Sequence, residues 1–176
     1  MKYKRLVILL VIGAILLWGV GYFRINLVYR ETEFISYHEG DLFHYQGMDI
    51  TVGSLERYSA EEFERKTGKS LSLRDRKDTL VVVANLHVKN VSGRDLVLKS
   101  GLQHWQIETE DFYCNGQSYE LTEKKNFSYK KDSNMDCQLY FTFHDGSNFQ
   151  GGLKRLRESS MRIYISYYPE ARYIQY

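Results

Sequence analysis

Hydrophobic residues are spaced along this chain in three different ways, and each spacing indicates a different element. Residues 6–23, LVILLVIGAILLWGVGYF, form an unbroken apolar run of 18 positions without a charge. At helical rise such a run spans about 27 Å, close to the hydrocarbon thickness of a bilayer. Between Ser59 and Gly68 the pattern is helical and short. Ser59 and Glu62 have capping-box spacing, and Gly68 suits a helix C-terminus.

Most of the remainder alternates with period two. Leu80, Val82, Ala84, Leu86 and Val88 fall on one face of an extended segment. Val81, Val83, Asn85, His87 and Lys89 fall on the other, which starts apolar and turns polar. Met135, Cys137, Leu139, Phe141 and Phe143 alternate likewise, as do Met161, Ile163, Ile165 and Tyr167. Shorter strands are expected at Leu42–Tyr45 and Met48–Leu55 around Gln46-Gly47, at Asp95–Leu98 after an Asn90–Arg94 turn, and at Trp105–Thr109. Phe112–Cys114 and Gln117–Leu121 flank Asn115-Gly116, a favoured type I′ hairpin dipeptide. Asp145–Gly152 reads as a glycine-rich turn and Arg172–Tyr176 as a final extension. Seven to nine strands with one short helix predict a mainly β chain folded as an antiparallel sandwich.

The apolar run sets the address. A helix buried in a globular core would normally carry charge over such a length. The run ends in Trp18, Tyr22 and Phe23, which suit a membrane–water interface, and Gly19-Val20-Gly21 matches a signal-peptidase site poorly. An uncleaved transmembrane helix is therefore favoured over a removed signal peptide. Lys2, Lys4 and Arg5 precede the run, against Arg24 and Arg30 beyond it, which places the N-terminus in the cytoplasm and the rest outside the cell. The expected organisation is a cytoplasmic basic head (1–5), a transmembrane helix (6–23), a juxtamembrane stalk (24–37) and one extracellular domain (38–176).

Charge and composition narrow the function. All 22 acidic residues but only 21 of the 24 basic ones lie beyond residue 23, so the ectodomain carries a formal charge of −1. The chain's overall +2 belongs to the cytoplasmic head, and no basic surface for nucleic acid is expected. One proline and two cysteines argue against a proline-rich linker and a disulfide-dense scaffold.

The stretch TLVVVANLHVKNVSGRDLVL, behind an N-terminal anchor, resembles the immunoglobulin-like domain of uncharacterised membrane-anchored proteins of the Gram-positive cell surface. RIYISYYP resembles their closing strand. By motif the likeness covers about twenty residues, and by architecture most of the ectodomain. It implies an immunoglobulin-like β-sandwich. Those families carry no agreed activity, so it implies no functional residues.

Candidate chemistry is sparse. Cys114 and Cys137 are the candidate disulfide, which the extracellular compartment favours over two thiols; the loop it would close is worth ~3 kcal/mol in the chain-entropy model. His38, His44, His87, His104 and His144 show no metal-ligand spacing, and no metal or other cofactor is expected. Glu108–Asp111 lacks the interleaved pattern of a calcium loop. Nucleophile elbow, P-loop and dinucleotide motifs are absent, and an enzyme is not expected. The alternative is an envelope enzyme or metal-dependent site assembled from residues distant in sequence.

Tyr164 and Tyr168, with Arg162 and Arg172, form the candidate interaction surface for a protein partner, although cross-strand packing accounts for the tyrosines more simply. Lys154–Arg157 reads as a solvated loop. The expected function is non-catalytic binding at the cell surface, with the bilayer engaged through residues 6–23.

Overall fold

The structure, a computed structural model, describes residues 2–28, 32–71, 79–97, 102, 104–109, 112–114, 119–120, 128–144, 152–167 and 169–176. In chain order its elements are α1 (Lys2–Val28), β1 (Glu33–Tyr37), β2 (Leu42–Tyr45), β3 (Met48–Ser59), α2 (Ala60–Thr67) and β4 (Thr79–Asn90). Then come β5 (Leu96–Val97), β6 (Gln106–Thr109), β7 (Phe112–Cys114), β8 (Tyr119–Glu120), β9 (Ser128–Tyr129) and β10 (Asn134–His144). The chain closes with α3 (Gly152–Glu158), β11 (Met161–Ser166) and β12 (Glu170–Gln175).

Two five-stranded sheets hold the core. The first runs β2-β3-β4-β10-β8 and the second β1-β12-β11-β6-β7, while β5 and β9 pair separately. Within them, β3-β4-β10-β8 faces β6-β11-β12, which is the strand order of an immunoglobulin sandwich. The alternating residues of both sheets meet in one cluster: Leu80, Val82, Ala84, Leu86, Leu139, Phe141 and Phe143 from the first, Ile107, Met161, Ile163 and Ile174 from the second. Trp105, fully buried at the entry to β6, packs edge-on against Tyr45 with ring centroids 5.6 Å apart.

Strand β4 is central, paired to β3 on one side and to β10 on the other. Both its faces are apolar in its first half because both are covered. Its inner face enters the main core, while Val81 and Val83 on the outer face are buried with Ala60 and Phe63 of α2 and with Leu71. Helix α2 forms as its sequence requires. The Ser59 side chain accepts from the Glu62 N–H, Glu62 accepts from the Ser59 N–H, and Gly68 closes the helix at φ 69°.

The Asn90–Arg94 turn is organised by one buried amide. Asn90 Nδ2 donates to the carbonyls of Arg94, Tyr129 and Lys130 at 2.8, 3.0 and 3.0 Å. Its Oδ1 accepts from the Ser92 N–H at 3.0 Å and the Ser92 hydroxyl at 2.7 Å. Asn90 thereby joins the turn after β4 to the turn before β10. Asp95 reinforces the joint, accepting from Lys130 Nζ and the Lys131 N–H, each at 2.8 Å; the Lys130 contact comes first in holding its carboxyl below the usual range.

Four expectations are corrected here. The segment expected as a stalk, 24–37, is divided between elements: α1 continues to Val28, and Glu33–Tyr37 is strand β1, parallel to β12. That pairing covers the edge of β12, and the Tyr37 ring stacks on Phe43 at 4.5 Å. The sandwich is therefore antiparallel except along this edge. Lys154–Arg157 lies in helix α3, whose Leu156 is buried in the core.

The hairpin expected around Asn115-Gly116 is replaced by another connection. Strand β7 pairs with β6, whereas β8 pairs with β10 in the opposite sheet, so the chain changes sheets there. Residues 115–118 themselves lie outside the described residues.

Helix α1 contains a window, Leu10–Leu27, long and apolar enough to cross a membrane, and none of that window is buried.

The Asn90→Ala variant should lose about 2–4 kcal/mol of stability, because it strands buried carbonyls at the joint. Asn90→Asp, which keeps the acceptor but not the donors, should lose a comparable amount. Urea unfolding of the detergent-solubilised chain, followed by tryptophan fluorescence, measures both.

Candidate functional site

The outer face of the first sheet changes character along β4. Where α2 ends, apolar residues give way to Asn85, His87 and Lys89, aligned across the sheet with Gln138, Asp136 and Asn134 of β10. Two adjoining depressions lie on this face. One, of about 330 Å³, is lined by Glu56, Tyr58, Lys66 and Val83 among others; the next, of about 310 Å³, by Gly53, Asn85, His87 and Asp136 among others. Gln138 borders both, and the pair is called the groove.

A β-bulge shapes its floor. The register of β3 against β4 shifts between Val52 and Leu55, and Gly53 sits at the shift. A Cβ on Gly53 would lie 2.6 Å from the Asn85 carbonyl oxygen, so only glycine lets the two backbones approach this closely. Ser54 is thereby presented to Asn85, whose Nδ2 donates to the Ser54 carbonyl at 3.3 Å and to its hydroxyl at 3.0 Å. A longer contact of 3.4 Å reaches Glu56 Oε1. Gln138 Nε2 donates to Asn85 Oδ1 at 2.7 Å.

Charges around the groove are paired. His87 Nδ1 lies 2.8 Å from Asp136 Oδ1. Lys66 Nζ donates to the Tyr58 hydroxyl at 2.8 Å and stands 3.9 Å from Glu56 Oε2.

The outer face of the second sheet carries Tyr164 and Arg162 of the residues singled out from the sequence, with Tyr173 beside them. Tyr164 is only 8% exposed. Its ring stacks on Tyr167 at 4.6 Å and tilts against Tyr173 at 5.3 Å. Burial, then the nearby Glu108 carboxylate, pushes its phenol above the usual range. Tyr164 thus packs across strands and offers little contact area. Arg162 is exposed, lies over the Tyr173 ring at 5.4 Å and donates to Gln175 Oε1 at 2.8 Å.

Arg172 pairs with Glu170, which raises the guanidinium pKa. Tyr168 lies outside the described residues. Tyr167, which the alternation groups with Met161, Ile163 and Ile165, is 45% exposed, lying beyond the register shift between Tyr164 and Ser166, and its hydroxyl shares its hydrogen between Gln106 Oε1 at 2.8 Å and Glu108 Oε1 at 3.1 Å.

Cys137 is buried in the core on β10, opposite Leu86. Cys114 lies on β7, in the other sheet, opposite Ile107. Its side chain, and with it the expected disulfide, lies outside the described residues.

The histidines are distributed over different parts of the domain. His44 pairs with Asp49 on β2–β3, His87 with Asp136, and His144 contacts Thr79 at the end of β10. His104 Nε2 meets the Tyr45 hydroxyl at 2.5 Å. Among the described residues no three His, Cys, Asp or Glu side chains converge as metal ligands.

No known protein family matches the chain, and no curated protein does. Solved structures do match. An uncharacterised β-sandwich protein from Clostridium difficile 630 superposes with a TM-score of 0.54 at 12% identity, over 83% of this chain and 96% of that one. A conserved hypothetical protein from Bacillus anthracis gives 0.44 at 11% identity, over 72% and 87% of the two chains. A candidate lipoprotein from Bacillus subtilis gives 0.41 at 13%, over 77% of this chain but 38% of that one. The likeness to the first shows the fold: this chain is a β-sandwich.

Partial burial lowers the pKa of His104, since desolvation disfavours the imidazolium. At this group the unfolded chain binds the proton more readily, so the contribution of His104 to stability is full above its unfolded value of about 6.5 and is lost as pH falls below it. His104→Asn should flatten that part of the profile, measured as thermal midpoint against pH.

Proposed function

We propose that this chain is a single-pass membrane protein with a cytoplasmic N-terminus, presenting one immunoglobulin-like domain outside the cell as a non-catalytic binding module. The observation that carries the reading is α1. Its eighteen-residue window Leu10–Leu27 is wholly unburied, and an apolar surface of that extent needs a bilayer as its solvent. Trp18 and Tyr22 stack at 5.6 Å, with Phe23 edge-on to Tyr22 at 6.2 Å, an aromatic group suited to the headgroup region. Lys2, Lys4 and Arg5 at the opposite end favour retention in the cytoplasm.

The strand immediately beyond α1 supports a working position close to the bilayer. Four residues lie between Val28 and Glu33, where the sheet begins, and the five backbone steps reach at most about 18 Å. A partner would then be met laterally or at the membrane surface. The outer faces supply hydrogen-bonding side chains with mutually compensated charge, which suits recognition. Arg162 and Tyr167 are the exposed members of the tyrosine-rich face and the residues best placed to touch a protein.

In intact cells stripped of their wall, external protease should digest the sandwich while an N-terminal tag stays protected. Digestion of the tag from outside would overturn the orientation, and a mature chain beginning near Tyr22 would overturn the anchor. Crosslinking in whole cells should trap a reproducible protein partner, and Arg162→Ala should reduce its yield several-fold at a nearly unchanged unfolding midpoint. Unchanged yield would remove this face from the interface.

A further inference from the structure

We infer that the groove beside α2 is a binding site for a neutral, polyhydroxylated ligand, a glycan chain. Three observations carry this. First, the floor is preorganised. Asn85 is held on both ends of its amide by Ser54 and Gln138, and the Gly53 bulge that places Ser54 leaves no room for a side chain. The cost of ordering these groups is met on folding rather than on binding.

Second, the groove leaves hydrogen-bonding valences open. Among the described residues Gln138 Oε1, His87 Nε2 and Asp136 Oδ2 have no protein partner, while their other polar atoms are engaged. Acceptors on amide and carboxylate oxygens therefore alternate with a ring nitrogen that can donate or accept. Each hydroxyl of a sugar both donates and accepts, so a row of them matches such a surface.

Third, the charge and shape exclude the commoner alternatives. Lys66 and Lys69 are matched in number by Glu56 and Asp136 among the lining residues, which favours a ligand without net charge. The lining mixes Val83 and carbon surface with the polar groups of Glu56, Asn85, His87 and Gln138, whereas pockets for a lipid tail or an apolar small molecule are walled mainly by hydrophobic side chains. A peptide adding as a strand needs an open sheet edge. Here the floor strands β3, β4 and β10 already have hydrogen-bonded neighbours on both sides. The two adjoining depressions, about 330 and 310 Å³, lie at the lower end of ligand-pocket sizes and would seat successive units of a chain laid along the sheet.

This inference rests on the binding-module reading but not on its topology, and a test on solubilised protein separates the two. Full-length chain in detergent would be titrated calorimetrically with soluble neutral oligosaccharides, β-1,4-linked glucose and N-acetylglucosamine oligomers and α-linked glucans. At least one should bind saturably. Gln138→Leu, an exposed substitution, should weaken that binding about tenfold, the loss of one or two hydrogen bonds, while Lys154→Ala, on the exposed side of α3, leaves it unchanged. Absence of saturable binding at millimolar concentration across the panel would overturn the proposal. So would binding indifferent to Gln138→Leu in a variant with an unchanged unfolding midpoint, or saturable binding of inorganic phosphate or calcium that Gln138→Leu abolishes.

Discussion

The domain depends on the two faces of β4. Its inner residues, Leu80 through Val88 at every second position, contribute to the main core. Its outer residues Val81 and Val83 are buried under α2, and Asn85 and His87 beyond them form the groove floor. With hydrogen-bonded neighbours along its whole length, β4 has no freedom to slide, since a shift of one residue would send polar side chains into the core. The core and the groove floor are therefore specified by one strand, in one register.

That coupling explains where the groove lies. Helix α2 covers the sheet only as far as its own eight residues reach, and Gly68 stops it. Beyond that point the sheet face is wet, and its side chains must satisfy one another or a ligand. The bulge at Gly53 draws β3 against Asn85 just where the cover ends. A step in the cover, a bend in one strand and a fixed amide together produce a concave polar surface on what would otherwise be a flat sheet. The Asn90 joint belongs to the same strand, and ties its far end to β9 and β10.

Much of the fold was legible because its causes are local. The capping box at Ser59, the C-terminal Gly68 and the alternation through β4, β10 and β11 are written within a few residues of where they act. The change from apolar to polar on the outer face of β4 was visible as a pattern, and its meaning came from the helix that covers only half of it. Elements whose causes are distant were misread. Glu33–Tyr37 becomes a strand only because β12, far along the chain, offers an edge. The Asn115-Gly116 dipeptide suggested a hairpin, yet β8 finds its partner in the opposite sheet. Helix α3 is short and basic, held by the burial of Leu156 rather than by any strong helical period. Tyr164, for which cross-strand packing was the simpler account, is packed against Tyr167 and Tyr173.

What the sequence by itself determined is the class of the molecule: an apolar helix ahead of a β-sandwich, because hydrophobic period and length follow from backbone geometry alone. Which polar residues would share a surface was decided only by the tertiary structure. Asn85, Gln138 and Ser54 come from three strands and carry no common spacing. They meet because register and a glycine bulge bring them within hydrogen-bonding distance, and no local rule encodes a distance between strands.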